Sequence, residues 1–383
     1  MFITGLQCLK CGATYEMTST AYTCPACGGT SGDDGILDVQ YDYHALSHVF
    51  QDAVKNSGRH DIFRYLSLLP ISEPANVLPV GGTPLVPAPR LAHRLGLKSL
   101  LLKDETRNPT RCLKDRATAV AVTLATANGY RDMYCASAGN AAISLAGFCA
   151  HHGLGCHVFV PSGVSQTRLN WLRRYGADIH ISFGNYDQAY DESERAGGEN
   201  GWYSRNCAFN PFLVEGKKTV ALELGEQLEW HVPDLVVAPV GDGCTLGAIG
   251  KGFRELEAVG MTDRIPELIG VQAEAIQPLV RRHQGDASSG DSGTTFAASI
   301  AVRRPRNALR ILSEIRHSNG QMLAISDEQI SSAQRLLAEE AGVIAEFTSS
   351  ATLAGLIQLA EHESLENKSA ILVITGGRLD SDF

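Results

Sequence analysis

Four cysteines near the start of the chain, Cys8, Cys11, Cys24 and Cys27, fall in the pattern C-x2-C-x12-C-x2-C. Two such knuckles each present two thiolates to one tetrahedral zinc, and Gly12, Gly28 and Gly29 behind them permit tight turns. The span between the pairs is slightly shorter than the commonest zinc spacing, and two redox pairs or unrelated buried thiols are the competing readings. Zinc held by all four thiolates would be structural, since no coordination position stays open for catalysis. A piece of roughly 35 residues buries too little core to fold alone, so metal is expected to supply its stability.

Four further segments carry chemistry. Lys114, preceded by an Asn-Pro-Thr turn, opens a helical pattern, where the positive end of the helix disfavours protonation. An unprotonated lysine is what Schiff-base chemistry needs, although a surface lysine at a helix start looks the same. In CASAGNAAISLAG a strand turns through Ser137, Ala138, Gly139 and Asn140 into a helix. Main-chain N–H groups there suit a carboxylate, and Asn140 either bonds a planar ligand or simply caps the helix. VVAPVGDGCTLGAIGKGF is strand, glycine turn, helix; Gly241, Asp242, Gly243, Cys244 and Thr245 can wrap a phosphate if Asp242 points away from it. The Lys-Ser/Thr ending of a nucleoside-triphosphate loop is missing. The last strand, in AILVITGG, ends at Thr375, whose hydroxyl can meet a ring nitrogen or merely close the strand. A lysine, an anion pocket, a phosphate turn and a hydroxyl together make the inventory for pyridoxal 5′-phosphate.

The elements that must position these residues alternate between short apolar runs and helical patterns. SLLLKDE, DMYCASA, GCHVFVPS and ADIHISFG read as short apolar runs and PDLVVAPVG, ELIGVQAE and AILVITGG as buried strands, with helices between them from Lys114 and from Asn140 to His152. The expectation is an α/β chain with parallel sheets covered by helices, in which ligands bind beyond the carboxyl ends of strands. The stretch from Asp38 to about Pro89 is mixed, and its proline-rich part reads as extended linker; residues 289–295 read as a mobile loop. Across 383 residues, 44% hydrophobic and 20% charged residues exclude wholesale disorder. A net charge of −9 argues against a nucleic-acid partner, and the apolar runs are too short to span a membrane. Ten irregularly spaced cysteines do not form a secreted disulfide framework, so a cytoplasmic enzyme is expected. The twelve histidines show no H-E-x-x-H or comparable metal spacing.

With N-P-T-x-x-x-K-D-R, S-A-G-N-A-A, E-G-K-K-T, G-D-G and the final T-G-G in view, the sequence from about residue 80 resembles threonine synthase and its relatives. These are fold-type-II pyridoxal-phosphate enzymes, alongside serine/threonine dehydratases and cysteine synthases, and some carry an N-terminal zinc ribbon. The resemblance implies that Lys114 bears the cofactor and that Asn140 bonds the pyridine 3′-oxygen. It places the substrate carboxylate on Ser137 to Ala141, the cofactor phosphate on Gly241 to Thr245, and Thr375 at the ring nitrogen. It also implies a large domain of residues 38–128 and 213–383, a small domain of 129–212 and a module of 1–37, in a homodimer.

Five positions depart from the family pattern, among them Cys112 and Leu113, which stand before Lys114 where relatives usually have serine and phenylalanine. Arg111 stands where relatives have glycine, Cys244 where glycine is frequent, and Leu213 where threonine synthases often have a phosphate-binding arginine. A phosphorylated substrate would then need other cations, with Lys103, Arg111 and Arg116 the nearest in sequence. The leading expectation is a lyase converting O-phosphohomoserine and water to threonine and phosphate. The alternative is β-replacement or β-elimination on serine, threonine or a phosphoserine-type substrate. A third reading is a non-catalytic regulator, which retention of Lys114 disfavours.

Overall fold

In the computed structural model, the described residues are 2–18, 22–28, 34–75, 78–286 and 293–377. Gly29 and most of the expected loop at 289–295 lie outside them. The chain opens with β1 (Ile3–Cys8), β2 (Thr14–Tyr15) and β3 (Leu37–Tyr41), an antiparallel sheet of order β2-β1-β3. It then lays down β4 (Leu85–Pro87) and β5 (Ser99–Asp104) of a second sheet before leaving for a third. That third sheet holds β6 (Asp132–Ala136), β7 (Gly155–Pro161), β8 (Asp178–Ser182) and β9 (Tyr203–Ser204), all parallel, in the order β8-β7-β6-β9. The second sheet is completed by β10 (Leu235–Pro239), β11 (Glu267–Ala273), β12 (Gln321–Ile325) and β13 (Ser369–Ile374). Its order is β12-β11-β10-β13-β5-β4, parallel except where β4 pairs with β5 at the edge.

Burial explains why the apolar runs became these strands. Every residue of β10 is buried, and every residue of β13 after Ser369, as a parallel strand covered on both faces requires. One cluster of buried side chains runs from Leu6 and Val39 in the first sheet through Val120 and Phe148 to Val158 and Val236 in the other two. A second, including Leu102, Val237, Ile269, Leu353 and Leu372, fills the space under the helix Phe347–His362. No helix among the described residues is long and apolar enough to cross a membrane.

The stretch expected to be mixed packs against the body. Phe50 and Val54 are buried on one short helix and Ile62, Phe63 and Leu68 on a 3-10 turn, and Leu69, Ile71 and Val80 are buried within the part expected to be linker. In its proline-rich part Gly82, at φ +60°, donates its N–H to Glu223 Oε1 at 2.8 Å, and a Cβ there would lie 2.2 Å from the His60 carbonyl oxygen. Proline set the irregular backbone, while apolar burial and the carboxylate keep it in place.

Candidate active site

The carboxyl ends of β6, β10 and β13 meet around a cavity of about 240 Å³. Its wall includes Lys114, all of Ser137 to Ala141, all of Gly241 to Thr245, and Thr375, so residues far apart in sequence are brought to one place. Lys114 is the first residue of the helix Lys114–Ala127. The loop before it is joined to the exit of β13: Leu113 N–H donates to the Thr375 carbonyl at 2.8 Å, and Cys112 bridges to Gly376. Burial, with the Lys217 ammonium nearby, pushes the Lys114 ammonium below the ordinary lysine range. Desolvation and a like charge thus favour the free amine, where sequence had pointed to the helix end alone.

Asn140 heads the helix Asn140–His152, and its Nδ2 donates to both carboxylate oxygens of Glu346, at 2.9 and 3.0 Å. In the turn before it, Gly139 N–H donates to Ser137 Oγ at 3.1 Å. The Thr375 hydroxyl lies 2.9 Å from Ser349 Oγ, which fixes its direction. In the glycine turn, Gly243 takes φ +89° and opens the helix Cys244–Ala258. A Cβ at Gly243 would lie 2.6 Å from Ile311 Cγ2, and one at Gly241 would lie 2.8 Å from the Ser299 carbonyl oxygen. Only glycine lets this backbone pass so close to its neighbours and still present N–H groups to an anion. Asp242 Oδ1 accepts from Arg306 N–H at 3.2 Å, and burial pushes the carboxyl up to about 6.

Three expected substrate residues are not among those that line the cavity. Arg116 is buried in ion pairs with Glu105 and Glu223, and Lys103 donates to Glu223, Gln227 and the Thr83 carbonyl. Two residues along a helix is a turn of about 200°, so Arg116 leaves on the side opposite Lys114. Arg111 is exposed and holds φ +64°, a left-handed conformation that suits the glycine the resemblance expects there. Leu213 is buried in the core.

The cavity instead contains Arg168, Arg205 and Lys217, together with Glu346 and Tyr186, none of which was given a role from sequence, and Cys207, which reads from sequence as a small buried hydrophobe and instead meets two cations. Arg205 is buried; it donates to Thr118 Oγ1 at 3.2 Å, the Lys114 carbonyl at 3.3 Å and Cys207 Sγ at 3.2 Å. Lys217 Nζ lies 3.3 Å from the same sulfur. A hydrogen bond from Cys244, then these two cations, hold the Cys207 thiol well below its ordinary range. Lys217 had one available signal, its place in E-G-K-K-T. Arg205 had none, because it follows a strand of two residues.

The four N-terminal cysteines also converge. Cys8 and Cys27 sulfurs are 3.7 Å apart, those of Cys11 and Cys24 are 3.8 Å apart, and all four lie within 4.8 Å of one another. Metal–sulfur bonds of about 2.3 Å place tetrahedral ligands about 3.8 Å apart, so the group has the size of a zinc site built from four thiolates. The two turns match: Gly12 N–H donates to the Cys8 carbonyl at 2.9 Å and Gly28 N–H to the Cys24 carbonyl at 3.1 Å.

Residues 77–377 match the family model described as pyridoxal-phosphate dependent enzyme. A threonine synthase of Methanocaldococcus jannaschii is 37% identical over 377 residues, 97% of this chain and 91% of that protein. One of Methanosarcina acetivorans is 35% identical, over 98% of this chain and 92% of its own length. Among solved structures, the processed form of threonine deaminase isoform 2 from Solanum lycopersicum superposes with a TM-score of 0.69 at 18% identity, covering 94% of this chain and 93% of that one. A fungal L-serine ammonia-lyase from Rhizomucor miehei gives 0.68 at 20% identity over 79% of this chain and 95% of its own; both speak for the fold.

Proposed function

This chain belongs to the pyridoxal-phosphate dependent enzyme family, among the threonine synthases, and we propose that it converts O-phosphohomoserine and water to threonine and phosphate. The observation that carries the reading is the joining, in one cavity, of the half-buried Lys114, whose free amine is favoured, and a turn whose Gly241 and Gly243 admit no Cβ. These residues fit pyridoxal phosphate. Lys114 would bear it, Gly241 to Thr245 would hold its phosphate, and Asn140 and Thr375 would flank its ring. When bound, the cofactor supplies a sink for electrons released at the substrate α-carbon. The rest is done by the chain: Ser137 to Ala141 hold the substrate carboxylate with main-chain N–H groups, and Lys114 takes and returns protons as general base and acid. Arg205 and Lys217 make the wall positive where an anionic substrate needs it. Lys217 stands one turn beyond Leu213 on the helix Phe212–Gln227, so it can take over from the missing arginine.

One observation favours the second reading, β-elimination or β-replacement on serine, threonine or a phosphoserine-type substrate. The aliphatic side chain at position 213 leaves no guanidinium for a phosphate there. Parallel assays decide between the two: phosphate release from O-phosphohomoserine supports the first, and ammonia release from threonine at equal or higher kcat/KM replaces it with the second.

We also infer structural zinc on Cys8, Cys11, Cys24 and Cys27, on the strength of the sulfur spacing. We keep the division into 38–128 with 213–383 and 129–212, which the second and third sheets support, whereas β3 (Leu37–Tyr41) pairs with β1 and so carries the first module a few residues past 37. Ten free thiols suit a reducing cytoplasm, and a homodimer is the assembly we expect, checked by light scattering.

A further inference from the structure

A second set of metal-type ligands lies on the third sheet, away from both sites above. His157 on β7 pairs in register with Asp178 on β8, and Phe159 with His180, so the three polar side chains share one face. Nδ1 of His157 lies 3.4 Å from Asp178 Oδ2, and Nε2 of His180 lies 3.3 Å from the same oxygen. Both nitrogens are shielded from solvent, and neither makes a hydrogen bond.

The surroundings orient these rings. His157 Nε2 is 3.1 Å from Asp132 Oδ1, and Gly155 makes room for that carboxylate, since a Cβ there would lie 1.8 Å from Oδ1. When Nε2 carries the proton and donates it to Asp132, the Nδ1 lone pair faces Asp178. Two lone pairs meeting at this distance call for a cation between them. The carboxylate behind a ligating imidazole is the usual outer partner in metal sites. Stacking fixes the ring planes: His157 lies on Trp202 at 3.6 Å and 3°, and His180 on Phe159 at 4.4 Å and 13°. Metal–ligand bonds of about 2.1 Å place tetrahedral N and O ligands about 3.4 Å apart, the spacing of each nitrogen from Asp178 Oδ2, and all three ligand atoms lie within 4.8 Å of one another.

We propose that His157, Asp178 and His180 bind a divalent transition ion of the zinc class, with water in the fourth position and Asp132 as the orienting partner of His157. Two imidazoles and one carboxylate suit zinc or copper better than magnesium or calcium. The ion would tie β8 to β7 about 13 Å back along the strand from Pro161, which lines the cavity. Its role is to hold the outer edge of the third sheet, with no part in the chemistry.

The test uses the full chain loaded with pyridoxal phosphate, titrated with zinc chloride against a chromophoric chelator. Wild type should bind one more zinc per chain than Asp178→Asn and than His180→Gln, with cofactor absorbance confirming that both variants fold. Asp132→Asn should weaken that extra equivalent by about 10- to 100-fold. With copper(II) as the probe, the paramagnetic spectrum should show coupling to two imidazole nitrogens, falling to one in His180→Gln. Equal zinc stoichiometry in wild type and both variants, as two protonated histidines sharing Asp178 would give, overturns the proposal. So does a copper spectrum unchanged by His180→Gln.

Discussion

Lys114 has an ammonium that the protein disfavours and, for that reason, an amine ready to react. Lys114→Ala should abolish turnover and leave circular dichroism and the melting temperature near wild type, because the side chain's work is chemical. Lys217→Gln removes the neighbouring positive charge, so the Lys114 ionisation should move up. The pH dependence of cofactor attachment to the cofactor-free protein, followed by absorbance, should shift to higher pH; an unchanged profile would show that burial acts alone. Arg111 is a different case. A left-handed backbone at a non-glycine residue costs roughly 1–2 kcal/mol, partly offset in a glycine variant by its larger unfolded-state entropy of about 0.5–1 kcal/mol. Arg111→Gly should therefore be neutral or stabilising by up to about 1.5 kcal/mol in urea unfolding. Since Arg111 is exposed and off the cavity wall, the variant should keep the wild-type ratio of kcat/KM between phosphorylated and unphosphorylated substrates.

Among the elements, the glycine turn before the helix Cys244–Ala258 and the cysteine knuckles around β1 are the two whose geometry is least forgiving. Gly243→Ala would place a methyl 2.6 Å from Ile311 Cγ2 on a backbone at φ +89°. The expected cost is about 1–3 kcal/mol, and the dissociation constant for cofactor should rise by a factor of about ten or more as the N–H groups turn away. Equilibrium dialysis against pyridoxal phosphate measures it. The knuckles should hold one zinc per chain, found by metal analysis of protein prepared without oxygen as the equivalent that Cys24→Ser loses. Stripping that zinc, or Cys24→Ser, should lower the melting temperature through the first sheet while the Lys114 site stays assembled.

For the molecule as a whole, the first sheet is locked to the body by buried ions. Asp38 on β3 pairs with Lys251 at 2.8 Å and Arg310 at 2.7 Å, and Lys251 also reaches Glu215 at 2.7 Å. Burial alone would raise the Asp38 carboxyl, but Arg310 and Lys251 outweigh it and hold the group well below the carboxylate range. A depressed folded pKa adds stability that is fully present above the unfolded value, near 4, and is lost as pH falls toward the folded one. Asp38→Asn should cost about 3–5 kcal/mol at pH 7, because two buried cations lose their partner. In urea unfolding the gap between variant and wild type should narrow below pH 4; a gap independent of pH would mean packing, not charge, joins the sheets.

Sequence alone settled the features that depend on local pattern. The short apolar runs became β5, β6, β7, β8, β10, β11 and β13. Of these, β10 and β13 are apolar throughout because both their faces are buried, whereas β8, at the sheet edge, alternates polar and apolar residues and is largely open to solvent. The helix Asn140–His152 was legible to its ends, since Asn opens it and Gly153 at φ +65° closes it. Lys114 and the glycine turn were visible because their chemistry requires those residue types. Strand β9 carries no period in its two residues, and β12, half-exposed at the sheet edge, lacks the apolar run of a central strand. Tertiary structure alone decided where each charge goes. Lys217 and Lys218 are adjacent in sequence, yet a helix turns about 100° per residue, so Lys217 reaches the cavity while Lys218 pairs with Glu215 and Glu255. Lys103 and Arg116 went to structural ion pairs and Arg205 came to the cavity for the same reason: a side chain's partners are set by which elements pack against it, and packing is not a local property of sequence.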